Sequence, residues 1–357
     1  GMQRHRLART VVPVFVHSAQ ALVSVQSFAL PPAFSSLRLP SGPAGLVCAG
    51  GAPRITRNAL STCRRNLSLS AAKMVMSPTE KYLFDLNGFI VIRGVLTPEE
   101  VAAANAAVDA HQADFKARTD DALRNTAKNT PFAGDGKTPR MDMGGMLGWP
   151  SPHCDVFRNL LAHPKLVPYL RELVGEGYRM DHLPLLIASE KGAEGFSLHG
   201  GTIDINGNYT PYLAYHYSHG RMHNNLLACS VSLVDHPKGS GGFVAVRGSH
   251  KGNFPTPPEL INGEDDFDGC LYQPETKAGD VILFSEGTVH GASAWQMDYQ
   301  RRLVLYRFAP PTVAYARSYY PTWPEEMTNG MTAEQLAVME PPYNVRLDRP
   351  LVKGGEG

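Results

Sequence analysis

The chain has 357 residues, of which 43% are hydrophobic, and a formal net charge of +1. That size and apolar content suffice for one well-buried domain of moderate size with a small helical extension. Charge is unevenly placed: nine Lys and Arg residues precede the first acidic residue, Glu80, leaving 25 basic against 33 acidic residues after them. A domain that acidic is poorly matched to a phosphate backbone, so no nucleic-acid partner is expected.

The acid-free N-terminus, rich in Arg, Ser and Ala, reads as a targeting peptide. Val11–Val25 is apolar but interrupted by Pro13, His17 and Gln20, too short and too broken for a membrane span. It runs into Ser27-Phe28-Ala29, a junction that resembles the two-part leaders of complex algal plastids. A competing reading is sequence upstream of a start at Met74 or Met76. Residues 1–75 are expected to be a targeting or disordered leader, and 76–357 a single domain. The location would be plastid or mitochondrion with a genuine leader, and cytoplasmic without one. Five cysteines without a CxxC pair fit a reducing compartment and argue against a zinc-thiolate site.

Phe89–Leu96 reads as a strand. Thr97-Pro98-Glu99-Glu100 combines an N-cap, a first-turn Pro and a capping-box Glu, predicting a helix over 98–117. Residues 120–148, polar and rich in Gly and Pro, read as a long loop. The stretch 119–150, with Arg140 and Trp149, is long enough for a lid that contacts substrate. Apolar spacing over Phe157–Val174 predicts a second helix. From Tyr178 the texture changes to short apolar or alternating runs at 178–188, 195–201, 224–234, 242–247, 280–285 and 302–308. Many short strands without intervening helices mean a sandwich or barrel. The glycines at 239, 241 and 242 read as a hairpin turn, since no helix or Lys-Ser/Thr follows them.

His199 lies in one of these runs, Gly195–Gly201, and His290 at the mouth of another, Gly279–Gly291. Arg301 opens the next strand, eleven residues after His290. Two imidazoles from an early and a late strand suit Fe(II) and leave coordination positions open. An arginine on the adjacent strand can grip a carboxylate in a bidentate fork. Arg302 competes for that role. If Arg301 faces inward, so do Leu303, Leu305 and Arg307; if Arg302 does, so do Val304, Tyr306 and Phe308, and the apolar pattern slightly favours this second set.

Phe84–Pro98, Val231–Phe254 with its Gly-Ser-His-Lys, and Gly279–Pro310 resemble, in this order, segments of the phytanoyl-CoA dioxygenase-like family. The resemblance covers roughly residues 80–312. It implies a mainly-β, double-stranded β-helix (a cupin-like jelly roll) with flanking N-terminal helices. It also implies Fe(II), 2-oxoglutarate and O2 as reactants, with His199 and His290 as metal ligands, Arg301 as the 2-oxoglutarate anchor and a small molecule as substrate. The His-to-Arg spacing in the family favours Arg301 over Arg302.

One departure bears on the chemistry. The family pattern is His-x-Asp, whereas this chain has His199-Gly200-Gly201, with Gly201 in the carboxylate position. Three accounts stay open: a carboxylate from elsewhere, Asp204 or Glu286, completes the site; chloride fills it, as in the related iron halogenases; or the chain is a non-catalytic jelly-roll binding protein. The leading expectation is hydroxylation of a C–H bond of a small metabolite. His216, His219 and Arg221, near His223, read as a flexible rim loop in reach of substrate, and His250 as structural.

Overall fold

A computed structural model describes residues 76–118, 129–316 and 323–343. The leader assigned to 1–75 and residues 119–128 of the lid lie outside the described residues. Two reciprocal capping boxes start the chain's first helices. Ser77 accepts from the Glu80 amide to begin α1 (Pro78–Asn87), and Thr97 accepts from the Glu100 amide to begin α2 (Pro98–Ala110). Helix α1 was not among the expected elements, although Ser77-Pro78-Thr79-Glu80 carries the same signature as the start of α2. Helix α2 is shorter than the 98–117 expected. It stops where the His111 ring stacks on Trp149 and the chain turns into the short strand β2 (Lys116–Ala117).

The expected helix over 157–174 is broken into α3 (Asp155–Asn159), a 3-10 turn (Leu160–Ala162) and α4 (Val167–Leu173). The cause is Pro164, whose ring pushes the preceding residue out of the helical region; His163 sits at ψ 129°. The expected loop over 120–148 contains a strand, β3 (Arg140–Met143), paired antiparallel with β4 (Arg179–Ser189) on one side and with β2 on the other. The described part of the lid is therefore hydrogen-bonded into the sheet.

Two antiparallel sheets face each other. The larger contains β1 (Phe89–Ile92), β8 (Leu227–Ser232), β11 (Val281–Ser285) and β13 (Arg301–Ala309), in the order β1-β11-β8-β13-β4-β3-β2. The smaller contains β5 (Phe196–His199), β9 (Gly242–Val246), β10 (Leu271–Tyr272) and β12 (His290–Ser293), in the order β10-β9-β12-β5. From β8 to β13 the chain passes between them four times, at β8–β9, β10–β11, β11–β12 and β12–β13, the crossing pattern of a jelly roll. Residues 233–241 join β8 in one sheet to β9 in the other, and the glycine cluster expected to turn a hairpin makes this crossover instead. Beside the sheets, β6 (Tyr215–Ser218) and β7 (Arg221–Asn224) form a hairpin whose two-residue turn, His219-Gly220, has positive φ at both positions.

Side-chain parity divides the core. Val304, Tyr306 and Phe308 point out of β13, are fully buried, and join Phe84, Phe157, Leu170 and Val231 under the helices. Between the sheets lies a smaller cluster of Phe89, Ala228, Ala245, Ile282 and Phe284. The helical layer is pinned by Arg158, whose guanidinium donates to the carbonyls of Leu147, Glu326 and Asn329. Near the site the paired strands approach too closely for side chains. A β-carbon on Gly195 would stand 1.8 Å from the Ala292 carbonyl oxygen of the paired strand. Gly195→Ala is expected to cost about 1–3 kcal/mol by overpacking. Urea denaturation measures this, and an unchanged midpoint would show that β5 and β12 tolerate separation.

Candidate metal and cosubstrate site

Strands β5 and β12 pair with His199 directly opposite His290. The two rings lie with centroids 4.2 Å apart, tilted by 52°. Each imidazole is oriented through Nδ1: His290 Nδ1 lies 2.7 Å from the Thr288 carbonyl and His199 Nδ1 3.2 Å from that of Ser197. A carbonyl can only accept, so each Nδ1 carries the proton and each Nε2 presents its lone pair, the arrangement that metal-binding histidines use. His290 is buried, whereas His199 is open at the cavity side. Both pKa values lie below the ordinary imidazole value. The crowding of protein atoms around the His199 ring, and then the neighbouring His290, push it down to about 3. His290 is lowered by burial, against the opposing pull of Glu286.

Beside the pair stands Glu286, in the turn between β11 and β12. Its Oε1 accepts from Arg307 Nε at 2.5 Å, and its Oε2 is 3.8 Å from His290 Nε2. Burial favours its neutral form, but Arg307 and then His290 outweigh this and leave the carboxyl below its ordinary value. Asp204, the other candidate carboxylate, is half-buried and caps its own turn by accepting from the amides of Asn206 and Asn208. Gly201 is buried at φ +86°; a β-carbon there would meet Val289 Cγ2 at 3.3 Å. Among the described residues no three His, Cys, Asp or Glu side chains stand in a ready-made metal-binding cluster.

The histidines open into a cavity of about 220 Å3 between the sheets. Its walls are apolar (Leu185, Ile187, Phe243, Phe284, Leu303 and Leu305) and carry four arginines, Arg118, Arg140, Arg301 and Arg307. Arg307 has Glu286, while Arg140 and Arg118 share Asp142. Among the described residues Arg301 has no carboxylate partner; it is 7% exposed, and its buried Nε makes no hydrogen bond. Burial, and then the nearby Arg140, push its pKa below the ordinary arginine value. Such a site is electrostatically incomplete until an anion enters. Gly242 makes room for it, since a β-carbon there would come 3.0 Å from Arg301 Nε. A larger surface groove of about 930 Å3, bordered by Arg93, Pro98 and Lys277, touches none of the candidate site residues.

Of the other candidates, Arg302 faces away from the cavity and donates to Asn105, Asp109 and Gln300. The expected apolar parity failed as a guide because the more apolar face of β13 lies under helices, not in the barrel. Arg140 lines the cavity. Trp149 does not: it is buried against His111 and Phe157, because the lid's end folds into the helical layer. His216, His219 and Arg221 belong to the β6–β7 hairpin, where His216 stacks on His223, and none of them lines the cavity. A paired hairpin thus replaces the flexible rim loop expected there. His250 is buried against Tyr215. Sequence reasoning missed Arg118, Arg307 and Asp142; the parity of β13 already placed Arg307 on the same face as Arg301.

The phytanoyl-CoA dioxygenase (PhyH) family matches residues 84–302, more than half of the chain. The chain belongs to this family of iron- and 2-oxoglutarate-dependent oxygenases. Its fold is similar to that of HygX from Streptomyces hygroscopicus. The HygX structure with nickel, 2-oxoglutarate and hygromycin B bound gives a TM-score of 0.53 at 21% identity, over 71% of this chain and 94% of HygX. The iron-bound form gives 0.53 at 20% over the same shares. SnoN, the non-heme alpha ketoglutarate dependent epimerase from nogalamycin biosynthesis, gives 0.45 at 21%, over 65% of this chain and 79% of SnoN. Among curated proteins, none matches the chain. No helix of the described residues is long and apolar enough to cross a membrane.

The depressed histidine pKa values have a measurable consequence. In the metal-free protein both rings are expected to be neutral with the proton on Nδ1 at pH 7, and His199 to resist protonation until about pH 3. The unfolded chain takes up those protons near pH 6.5, so this pair makes the fold less stable as pH falls below that value. Nitrogen-15 NMR of the imidazoles checks both points, and titration of either ring near 6.5 would contradict them.

Proposed function

We propose that the chain is an Fe(II)- and 2-oxoglutarate-dependent oxygenase that hydroxylates a C–H bond of a small metabolite. The observation that carries this reading is the meeting, in one cavity, of two neutral imidazoles with free Nε2 atoms and a buried arginine that has no counterion among the described residues. The donor set fits the implied groups: nitrogen ligands suit iron, and an unpaired guanidinium suits the distal carboxylate of a dicarboxylic acid. His199 and His290 would hold the metal, and the carbonyls of Ser197 and Thr288 would fix their tautomers. Arg301, seated against Gly242, would bind and orient 2-oxoglutarate. Leu185, Ile187, Phe284 and Leu305 would exclude water from the reacting groups. When bound, iron and 2-oxoglutarate supply the oxidising chemistry: O2 is consumed, 2-oxoglutarate becomes succinate and CO2, and one oxygen atom enters the substrate.

A halogenase is the second reading, favoured by one observation: Gly201 carries no side chain where the family has a carboxylate. Against it stands the Glu286 carboxylate beside His290, whose charge opposes a chloride ion in the same space. The purified protein with Fe(II), 2-oxoglutarate and O2 is expected to release succinate, independently of chloride. Arg301→Gln should raise the KM for 2-oxoglutarate by about tenfold or more, the worth of a charge-assisted carboxylate contact. Arg302→Gln should leave it unchanged. Mass spectrometry of turnover products with chloride present separates the readings, since a C–Cl product would replace the hydroxylase by the halogenase. Absence of succinate from iron-loaded protein would favour a non-catalytic binding protein.

A further inference from the structure

We propose that Glu286 takes the place of the missing carboxylate as the third protein ligand of the metal, positioned by Arg307. This rests on the reading of His199 and His290 as metal ligands. The family motif puts that carboxylate two residues after the first histidine, where this chain has Gly201. The replacement comes from the other strand, four residues before the second histidine.

The case begins with the way Glu286 holds Arg307. An arginine and a carboxylate left to themselves prefer a two-pronged fork that uses both oxygens. Here Arg307 Nε takes Oε1 alone, and Oε2 is left turned toward His290 Nε2 at 3.8 Å. That separation is too long for a hydrogen bond. It also sets two lone pairs against each other, because the His290 proton is on Nδ1, facing the Thr288 carbonyl. The His199 ring stands 4.2 Å from the His290 ring, and its Nε2 also carries a lone pair. The three groups do not yet form a closed metal cluster, but each offers an electron pair that a cation would draw together. Two donors about 2.1 Å from one metal at a right angle lie about 3.0 Å apart. Relative to His290 Nε2, Glu286 Oε2 therefore needs to approach by less than about 1 Å to share a metal with it.

The turn that carries Glu286 is built to hold it there. The Glu286 amide donates to the Leu226 carbonyl, and the Thr288 amide to that of Ser285. Gly287 lets the turn pack, since a β-carbon on it would stand 2.5 Å from the Leu213 carbonyl oxygen. On the opposite side, Gly200 presses to the same turn, where a β-carbon would meet the Thr288 and Glu286 carbonyl oxygens at 2.5 and 2.8 Å. The two glycines after His199 thus bring the Glu286 turn against the end of β5 and carry no carboxylate of their own.

Anaerobic calorimetric titration of metal-stripped, full-length protein with Co(II) tests this without turnover. Wild type should bind one ion, and His199→Ala or His290→Ala should abolish binding. Glu286→Gln and Glu286→Asp should each weaken it by about tenfold or more. Glu286→Asp keeps the charge against Arg307 but is one methylene too short to serve both partners. Glu286→Gly should lose affinity to the same degree and regain it with added formate, a response that a merely structural carboxylate would not produce. The Glu286→Gln/Arg307→Gln double variant removes both charges together, so it avoids an unpaired buried arginine and guards against simple misfolding. If the histidine variants lose the ion while every Glu286 variant binds within about threefold of wild type, Glu286 is only the counterion of Arg307, and the oxygenase reading survives. If the histidine variants bind as wild type does, the metal site itself is wrong and both fall.

Discussion

The pairing of β12 with β5 sets His290 across from His199, and nearly everything else in the site depends on how closely those two strands approach. Backbone that close leaves no room for side chains. Gly195 lies against the Ala292 carbonyl, Gly291 against that of Phe196 and Gly200 against that of Thr288, each where a β-carbon would fall within 2.5 Å of an oxygen. The register shifts between His290 and Ala292, so the strand bends where it delivers its histidine. Two imidazoles placed this way cannot both be charged, and their Nδ1 protons are committed to carbonyls. The lone pairs that remain are fixed in direction before any metal arrives, which is the preorganisation that a binding site needs.

The barrel lumen departs from an ordinary core. Outside the large sheet, Val304, Tyr306 and Phe308 meet helices in a dry apolar layer. Inside it, the alternate residues of the same strand include Arg301 and Arg307, and neighbouring segments add Arg118 and Arg140. Asp142 and Glu286 offset part of that charge. The remainder sits on Arg301, buried and without a carboxylate partner among the described residues. A buried charge of this kind weakens the fold on its own. It is sensible only in a molecule that spends its working life with an anion at that place, and a dicarboxylate shared with a bound metal is such an anion.

The same division explains why some elements were legible from local pattern and others not. Capping boxes are local chemistry, so the starts of α1 and α2 can be read directly from Ser77–Glu80 and Thr97–Glu100. Pro164 was equally local, yet apolar spacing on both sides masked the break it makes. Strand β3 was hidden in a polar, Gly-rich stretch because its stability comes from hydrogen bonds to β4, whose paired residues lie more than forty positions away. Trp149 has the composition of a lid residue, but its ring is captured by His111 and Phe157.

By itself, the sequence determined the strand-rich class, the positions of most strands, the two histidines and the run Arg301–Ala309, since alternation and turn chemistry are written in adjacent residues. It also exposed the vacancy at Gly201. Tertiary structure alone decided which carboxylate lies beside the histidines. Asp204 lies five residues from His199 and Glu286 four from His290, but one caps its own surface turn and the other is buried beside His290 and Arg307, in the turn that joins β11 of one sheet to β12 of the other. It likewise decided between Arg301 and Arg302. Period-two alternation shows that the two face opposite ways, but which way is inward depends on where helices cover the sheet, and that is a property of the packed chain.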